Sequence, residues 1–155
     1  MVRYIGIDPD LEKSGVAVRI SNKYTFLTTL TFFDLLRFLE SMADATVVIE
    51  AGWKNKPSNF HGGASRAIAE RISKNVGENH AIAKQIALFC KEKRINYIEA
   101  APRSYKALGP SFVNKQNKVT HDGFVKITGH DAKHTNQEER DAALLIWKYP
   151  NNNNL

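Results

Sequence analysis

Val2-Arg3-Tyr4-Ile5-Gly6-Ile7-Asp8-Pro9-Asp10 opens the chain with a short apolar run, rich in β-branched residues, that breaks on an acid and a proline. A run of that length ending in Asp-Pro-Asp reads as a buried strand over residues 2–7 closing in a turn. Residues 15–20 and 24–30 are two further strand-like runs joined only by the polar Ser21-Asn22-Lys23, and so short a connection implies an antiparallel meander. Over residues 32–42, Phe32, Leu35, Leu36 and Leu39 recur at helical spacing, and residues 46–49 follow as a compact strand ending on Glu50. Strand, helix and strand in that order predict a right-handed parallel crossover. Asp8 and Glu50 therefore end two strands expected to lie side by side, roughly 4.8 Å apart.

Taken singly, Asp8 is an ordinary turn former before proline and Glu50 an ordinary polar strand end. Together they pose an electrostatic problem, because two carboxylates at that separation repel unless a cation stands between them. A divalent metal resolves the conflict, and the carboxyl ends of strands in an open α/β sheet are where such folds place their sites. Glu138 and Asp141 add a second pair, three residues apart on one face of a final helix expected over residues 137–148. The helix dipole and capping account for Glu138 in the first turn. They do not account for Asp141, which sits deeper, directly before Ala142-Ala143-Leu144-Leu145-Ile146-Trp147.

Between these landmarks, residues 51–74 show no sustained period and are broken by Pro57, Gly62 and Gly63, so a long loop is expected there, with a helical turn around 64–72. Asn75-Val76-Gly77-Glu78 resembles a capping box, and Ile82, Ile86, Phe89 and Cys90 mark a helix from there to about Arg94. A strand over 95–100, a helical turn through Lys106, a Gly109-Pro110 break, a helix over 116–127 and a polar loop to Asn136 complete the pattern. The expected organisation is one domain over residues 1–149 and an Asn-rich tail over 150–155.

With 155 residues, 43% hydrophobic and 25% charged, the chain can bury a full core. No apolar run approaches the 18 residues of a membrane span and the N-terminus carries no signal-peptide core, so a soluble cytoplasmic protein without membrane partners is expected. Cys90 is the only cysteine, which excludes an internal disulfide and a multi-thiolate zinc site; it reads as core filler. The net charge of +6 is unevenly spread: residues 51–130 carry +9 and the flanks −3. A concentrated basic stretch suits a polyanion, because Lys and Arg displace counterions from phosphates, although a solvated basic surface would have the same composition.

At this point the chain resembles a family, the RuvC-like Holliday junction resolvases of the RNase H-like superfamily. Tyr4-Ile5-Gly6-Ile7-Asp8-Pro9 followed by Gly15-Val16-Ala17-Val18 is similar to the family's opening hairpin, Val47-Val48-Ile49-Glu50 to its second catalytic strand, and Glu138-Glu139-Arg140-Asp141-Ala142-Ala143 to its closing helix. Residues 77–101 resemble the central helix and following strand, and residues 102–106 and 115–125 the basic helical segments. The family commonly has Asp or His where Glu138 stands. The resemblance implies an α/β RNase H-like fold: a five-stranded mixed sheet, with an antiparallel opening meander and then parallel crossovers, flanked by helices.

It further implies a Mg²⁺-dependent endonuclease that resolves four-way DNA junctions in recombination and repair, leaving 5′-phosphate and 3′-hydroxyl ends, in a bacterium or a bacteriophage-infected cell. Two Mg²⁺ ions about 4 Å apart, replaceable by Mn²⁺, would activate water and neutralise the leaving oxygen. Asp8 would bridge them, Glu50 and Asp141 would be further ligands, and Glu138 a direct or water-mediated fourth. Lys106, with Lys115 or Lys118, would contact the DNA backbone near the scissile phosphate. Trp53, at the family's aromatic offset from the catalytic Glu, would stack on bases at the opened junction, with Lys54, Lys56, Phe60 and His61 beside it; a buried core tryptophan is the alternative. Two equivalent cuts imply a homodimer, using the start of the helix over 76–94 and the helix over 32–42. An RNase H-type or flap nuclease with the same carboxylates is the nearest competing reading. A sugar-kinase or actin-like ATPase domain is remote, since the chain has no room for that fold's duplication and lacks a Gly-x-x-x-x-Gly-Lys-Ser/Thr loop.

Overall fold

The computed structural model describes residues 1–55 and 65–149. Strands β1 (Arg3–Asp8), β2 (Ser14–Ile20) and β3 (Lys23–Leu30) form the antiparallel meander, α1 (Phe32–Ser41) crosses over, and β4 (Thr46–Glu50) returns parallel to β1. A 3₁₀ turn (Gly52–Lys54) follows, then α2 (Arg66–Glu92), β5 (Tyr97–Ala100) parallel to β4, a second 3₁₀ turn (Lys106–Leu108), α3 (His121–Thr128) and α4 (Gln137–Ile146). The strand order is β3-β2-β1-β4-β5.

Strand alternation divides the apolar side chains between two cores. Ile5, Ile7, Val16, Val18, Val47 and Ile49 face one way and pack with Leu35 and Leu39 of α1 and Ile86 and Cys90 of α2. Cys90 is fully buried, as expected of core filler, and burial pushes its thiol up to about 11. Tyr4, Ala17, Tyr24 and Val48 face the other way, against Phe124 of α3 and residues 142–146 of α4.

Helix α4 lies close on the sheet because two strand residues are glycine. A Cβ on Gly6 would stand 2.1 Å from the Ala142 carbonyl oxygen, and one on Gly15 2.1 Å from that of Glu138. At the far end of α4, buried Arg19 donates to the carbonyls of Trp147 and Tyr149, and the Tyr24 hydroxyl donates to Ala143 O at 2.6 Å. The helix is thus tied down along its length.

Two expectations need correction. The long helix does not begin at Asn75: it begins at Arg66, with Ser65 as cap accepting from the Ile68 amide. Asn75-Val76-Gly77-Glu78 is helix interior, where Glu78 pairs with Lys74 rather than closing a capping box. The first half of α2 has no core beneath it, so it shows no wide apolar stripe to read. The helix expected over 116–127 starts five residues later, at His121, and ends at Thr128. Asn114 Oδ1 accepts from the amides of both Gln116 and Lys118 at 3.0 Å, Asn117 takes a φ of 60°, and Val113 bridges Val119, so residues 113–119 form a tight turn. Thr120 caps the helix that follows, and Gly129 in the left-handed region ends it. The Asn-rich tail, and Pro57, Phe60, His61, Gly62 and Gly63, lie outside the described residues.

Candidate active site

β1 and β4 are paired in parallel up to Ile7 and Ile49, so the next and last residues of these strands, Asp8 and Glu50, stand side by side at the sheet's end. Both are half-buried. Asp141 reaches the same place from α4, because the close approach at Gly6 and Gly15 lays that helix over β1 and β2. The charges are mutually unfavourable. Burial first, then Glu50 and Asp141, push the Asp8 carboxyl up to about 8; Lys118 opposes the shift and Glu138 adds the weakest push. Glu50 is likewise raised, by burial and then by Asp141.

Lys118 is the local counter-charge. Its ammonium donates to Asp141 Oδ2 at 3.2 Å, while Gln137 Nε2 donates to Oδ1 at 2.8 Å. Burial works against the charged lysine, but Asp141, Asp8 and Glu50 together hold its pKa above the ordinary value. The 113–119 turn that carries it is fastened to α4 by Arg140, whose Nε donates to Val119 O at 2.9 Å and whose Nη2 donates to Gln137 Oε1 at 3.1 Å. One hydrogen-bonded run therefore joins the lysine's turn to the Asp141 carboxylate.

Glu138 stands apart from that group. Its carbonyl packs on Gly15, and its side chain lines a separate cavity with Asp10, Lys13 and Asn136. Among the described residues, no three His, Cys, Asp or Glu side chains are gathered closely enough to hold a metal ion as they stand. The donor set nevertheless fits a hard divalent cation: Asp8, Glu50 and Asp141 are all oxygen donors, and burial and neighbouring acids disfavour the charged forms of Asp8 and Glu50 when no cation is near. Each Asp141 oxygen accepts from one protein donor and keeps a second lone pair, so a cation there would compete with the Lys118 ion pair for the same carboxylate.

The expected DNA-contacting residues fall in three places. Lys106 and Lys115 share a groove of about 480 Å³ on the outside of the 113–119 turn. Lys54 donates to the Glu99 carbonyl at 2.8 Å and so braces the turn after β4 against β5. Lys56 lies outside the described residues. Trp53 is half-buried and packs against the core on the α2 side; its ring meets His80 edge-on at 5.6 Å, and the Lys84 ammonium stands 5.1 Å from its centroid. The core alternative for Trp53 is thus met in part, with the rest of the side chain exposed.

Some residues at the site carried no sequence signal. Arg103, Tyr105, Gln116 and Asn117 line one cavity with Glu50 and Asp141. His80, within α2, lines a smaller one on the opposite side of Glu50 and touches Gly52 closely enough that a Cβ there would lie 2.5 Å from its Nε2. None belongs to a periodic pattern or a motif; only the closure of the fold brings them together.

The sheet order, the mixed strand directions and a helix laid across β1 define an RNase H-like fold with acids at its strand ends. Among solved structures, the chain is similar to RuvC from T. thermophilus in complex with a Holliday junction substrate, with a TM-score of 0.57 and 13% identity over 95% of this chain and 91% of that one. It is also similar to another Thermus thermophilus RuvC structure, with a TM-score of 0.54 and 13% identity over 93% and 92%. No family model matches the chain, and no curated protein matches it in sequence. What is shared is the RuvC form of the RNase H-like fold.

Proposed function

We propose that the chain is a metal-dependent, structure-selective DNA endonuclease that resolves four-way junctions by paired phosphodiester cleavage, with residues 1–149 as its nuclease domain. The observation that carries this reading is the meeting of Asp8, Glu50 and Asp141 at the ends of adjacent parallel strands, where burial and mutual repulsion hold Asp8 at about 8. Such a cluster costs stability unless a cation is meant to occupy it. The fold shared with a RuvC in complex with a Holliday junction substrate supports the substrate class.

Asp8, Glu50 and Asp141 would hold Mg²⁺, with Glu138 as an outer or water-mediated partner, and Mn²⁺ would substitute. When bound, two such ions supply a water acidic enough to lose its proton near neutral pH and stabilise charge on the leaving oxygen, giving 5′-phosphate and 3′-hydroxyl ends. The protein's own part is positional. Gln137 and Arg140 hold Asp141 and the 113–119 turn in fixed relation, and Lys118, released from Asp141, offers its ammonium to the scissile phosphate. Lys106 and Lys115 line the adjoining groove for backbone phosphates, and Trp53, Lys54 and Lys56 serve the opened centre of the junction.

A C₂ homodimer suits the near two-fold substrate. Ile68, Ile72 and Val76 recur every four residues on the first half of α2 and are 42%, 43% and 46% exposed; Phe33 on α1 is 68% exposed. A second copy would cover this stripe. The reading is tested by incubating a synthetic four-way junction, an RNA–DNA hybrid and a flap substrate with the protein in Mg²⁺ and in EDTA. Cutting of the junction alone, abolished by EDTA, is expected. Preferential cutting of the hybrid or the flap would assign the same site to another nuclease class.

A further inference from the structure

Trp53 belongs to the short 3₁₀ turn Gly52–Lys54, which is held from two sides. On the β5 side the holds are hydrogen bonds: the Ala51 amide donates to Ala100 O at 2.7 Å, Lys54 Nζ to Glu99 O at 2.8 Å and Asn55 Nδ2 to Pro102 O at 3.2 Å. They fix the backbone and leave the indole its choice of rotamer. On the α2 side the hold is a ring. The His80 imidazole lies so close to the Gly52 backbone that a Cβ there would stand 2.5 Å from Nε2, and it meets the Trp53 ring edge-on at 5.6 Å. A cavity of about 110 Å³ adjoins it, walled also by Pro9, Glu50, Val76 and Asn79.

We infer that His80 is a positioning residue: its ring fills the space into which the Trp53 indole would otherwise turn, and so keeps that indole presented to the bases at the centre of a four-way junction. The inference rests on the junction reading of Trp53 above and names the group on which that role depends. A half-buried tryptophan gains by burying more of its surface, so with His80 removed the indole would fold inward towards Glu50 and the enlarged cavity.

The imidazole is suited to prevent this. Edge-to-face contact is a preferred arrangement of paired aromatic rings. Lys84, one turn further along the same face of α2, sets its ammonium 5.1 Å from the indole centroid, so the helix meets the ring at two points. The helix turn that carries His80 has an anchor of its own, because the neighbouring Asn79 Oδ1 accepts from the Leu11 amide at 3.3 Å. His80 is thus held in place independently of the ring it supports.

The test places 2-aminopurine, whose fluorescence rises on unstacking, at the branch point of intact and nicked four-way junctions and binds them to full-length protein in EDTA. Cutting does not enter that signal. Wild type should brighten the intact junction, and His80→Ala should lose most of the rise, as Trp53→Ala does, with affinity for the nicked junction unchanged. In Mg²⁺ the same variant should cut the intact junction about tenfold more slowly, the effect of one lost base–aromatic stack, and the nicked junction far less so. His80→Phe, which keeps a flat ring, should restore both signals. Gly52→Ala should reproduce the loss without altering His80, since its methyl must push the imidazole aside. Two results would overturn the inference and leave the nuclease intact: His80→Ala and Gly52→Ala proteins that brighten the intact junction like wild type, or a loss that falls equally on both junctions and is not rescued by His80→Phe. A wild type that binds the intact junction without brightening it would instead overturn the junction role of Trp53 and this inference with it.

Discussion

A carboxyl at about 8 still holds its proton in much of the folded population at pH 7, whereas the unfolded chain has lost it well below that, near 3.8. Between those values the folded state binds the extra proton, so the metal-free fold is stabilised at acid pH and loses that contribution as pH rises towards 8. Asp8→Asn should therefore raise the melting temperature at pH 8, by up to a few kcal/mol of stability, and change little near pH 4. On the proposed function, in which the basic segment rather than the acids grips DNA, it should also abolish cutting while leaving junction binding nearly intact. A fall in melting temperature at pH 8 would show that Asp8 carries a favourable interaction instead. The opposing group can be tested too: Lys118→Ala leaves the carboxylates without their counter-charge and should lower stability most at high pH.

Trp53 packs partly on the core and keeps part of its side chain exposed. Its contact with the core implies that Trp53→Ala costs about 1 to 3 kcal/mol of folding free energy, less than the 3 to 5 of a fully buried aromatic. Trp53→Phe should restore most of that. If the exposed part stacks on bases, cutting of an intact junction should still fall further than cutting of a nicked, already flexible one, measured alongside thermal unfolding. Equal losses on both substrates would leave Trp53 with a packing role alone.

At the scale of elements, α4 is placed by the absence of two side chains. The atom that a Gly15 Cβ would strike is the Glu138 backbone carbonyl, which no rotamer change can move aside. Gly15→Ala should therefore shift the start of α4 off β2, costing about 1 to 3 kcal/mol or more in urea unfolding and reducing cutting by more than the unfolded fraction explains. Undiminished cutting at full stability would mean that the helix position is not critical. The same elements show what the sequence made legible. Asp8 and Glu50 could be paired from two short apolar runs and one crossover, and Asp141 from its awkward depth in a helix. The 27-residue length of α2 could not, because its buried residues begin only at Ala83 and its first half carries few large apolar side chains, Ile68, Ile72 and Val76. Nor could the 113–119 turn, which is built from side-chain hydrogen bonds of Asn114 rather than from any period. The resemblance makes Lys118 an expected phosphate contact; that it neutralises Asp141 follows only from that turn.

For the whole molecule, the exposed stripe on α2 and the two-fold substrate lead to the same expectation, a dimer in solution. Light scattering at micromolar concentration should give twice the 17.5 kDa chain mass, and a double Ile68→Glu, Ile72→Glu variant should give a monomer whose melting temperature is little changed. That monomer should nick a junction without resolving it. A wild-type monomer with full resolving activity would remove the dimer from the account.

The central claim, a cation-loaded carboxylate site that cuts junctions in pairs, is tested most directly by a four-way junction end-labelled on two opposed strands. Wild-type protein in Mg²⁺ should nick both strands at symmetric positions and release two linear duplexes whose nicks a DNA ligase seals, showing 5′-phosphate and 3′-hydroxyl ends, and Asp8→Asn should give neither. Asymmetric or unsealable nicks, or cutting that persists in Asp8→Asn or in EDTA, would contradict it.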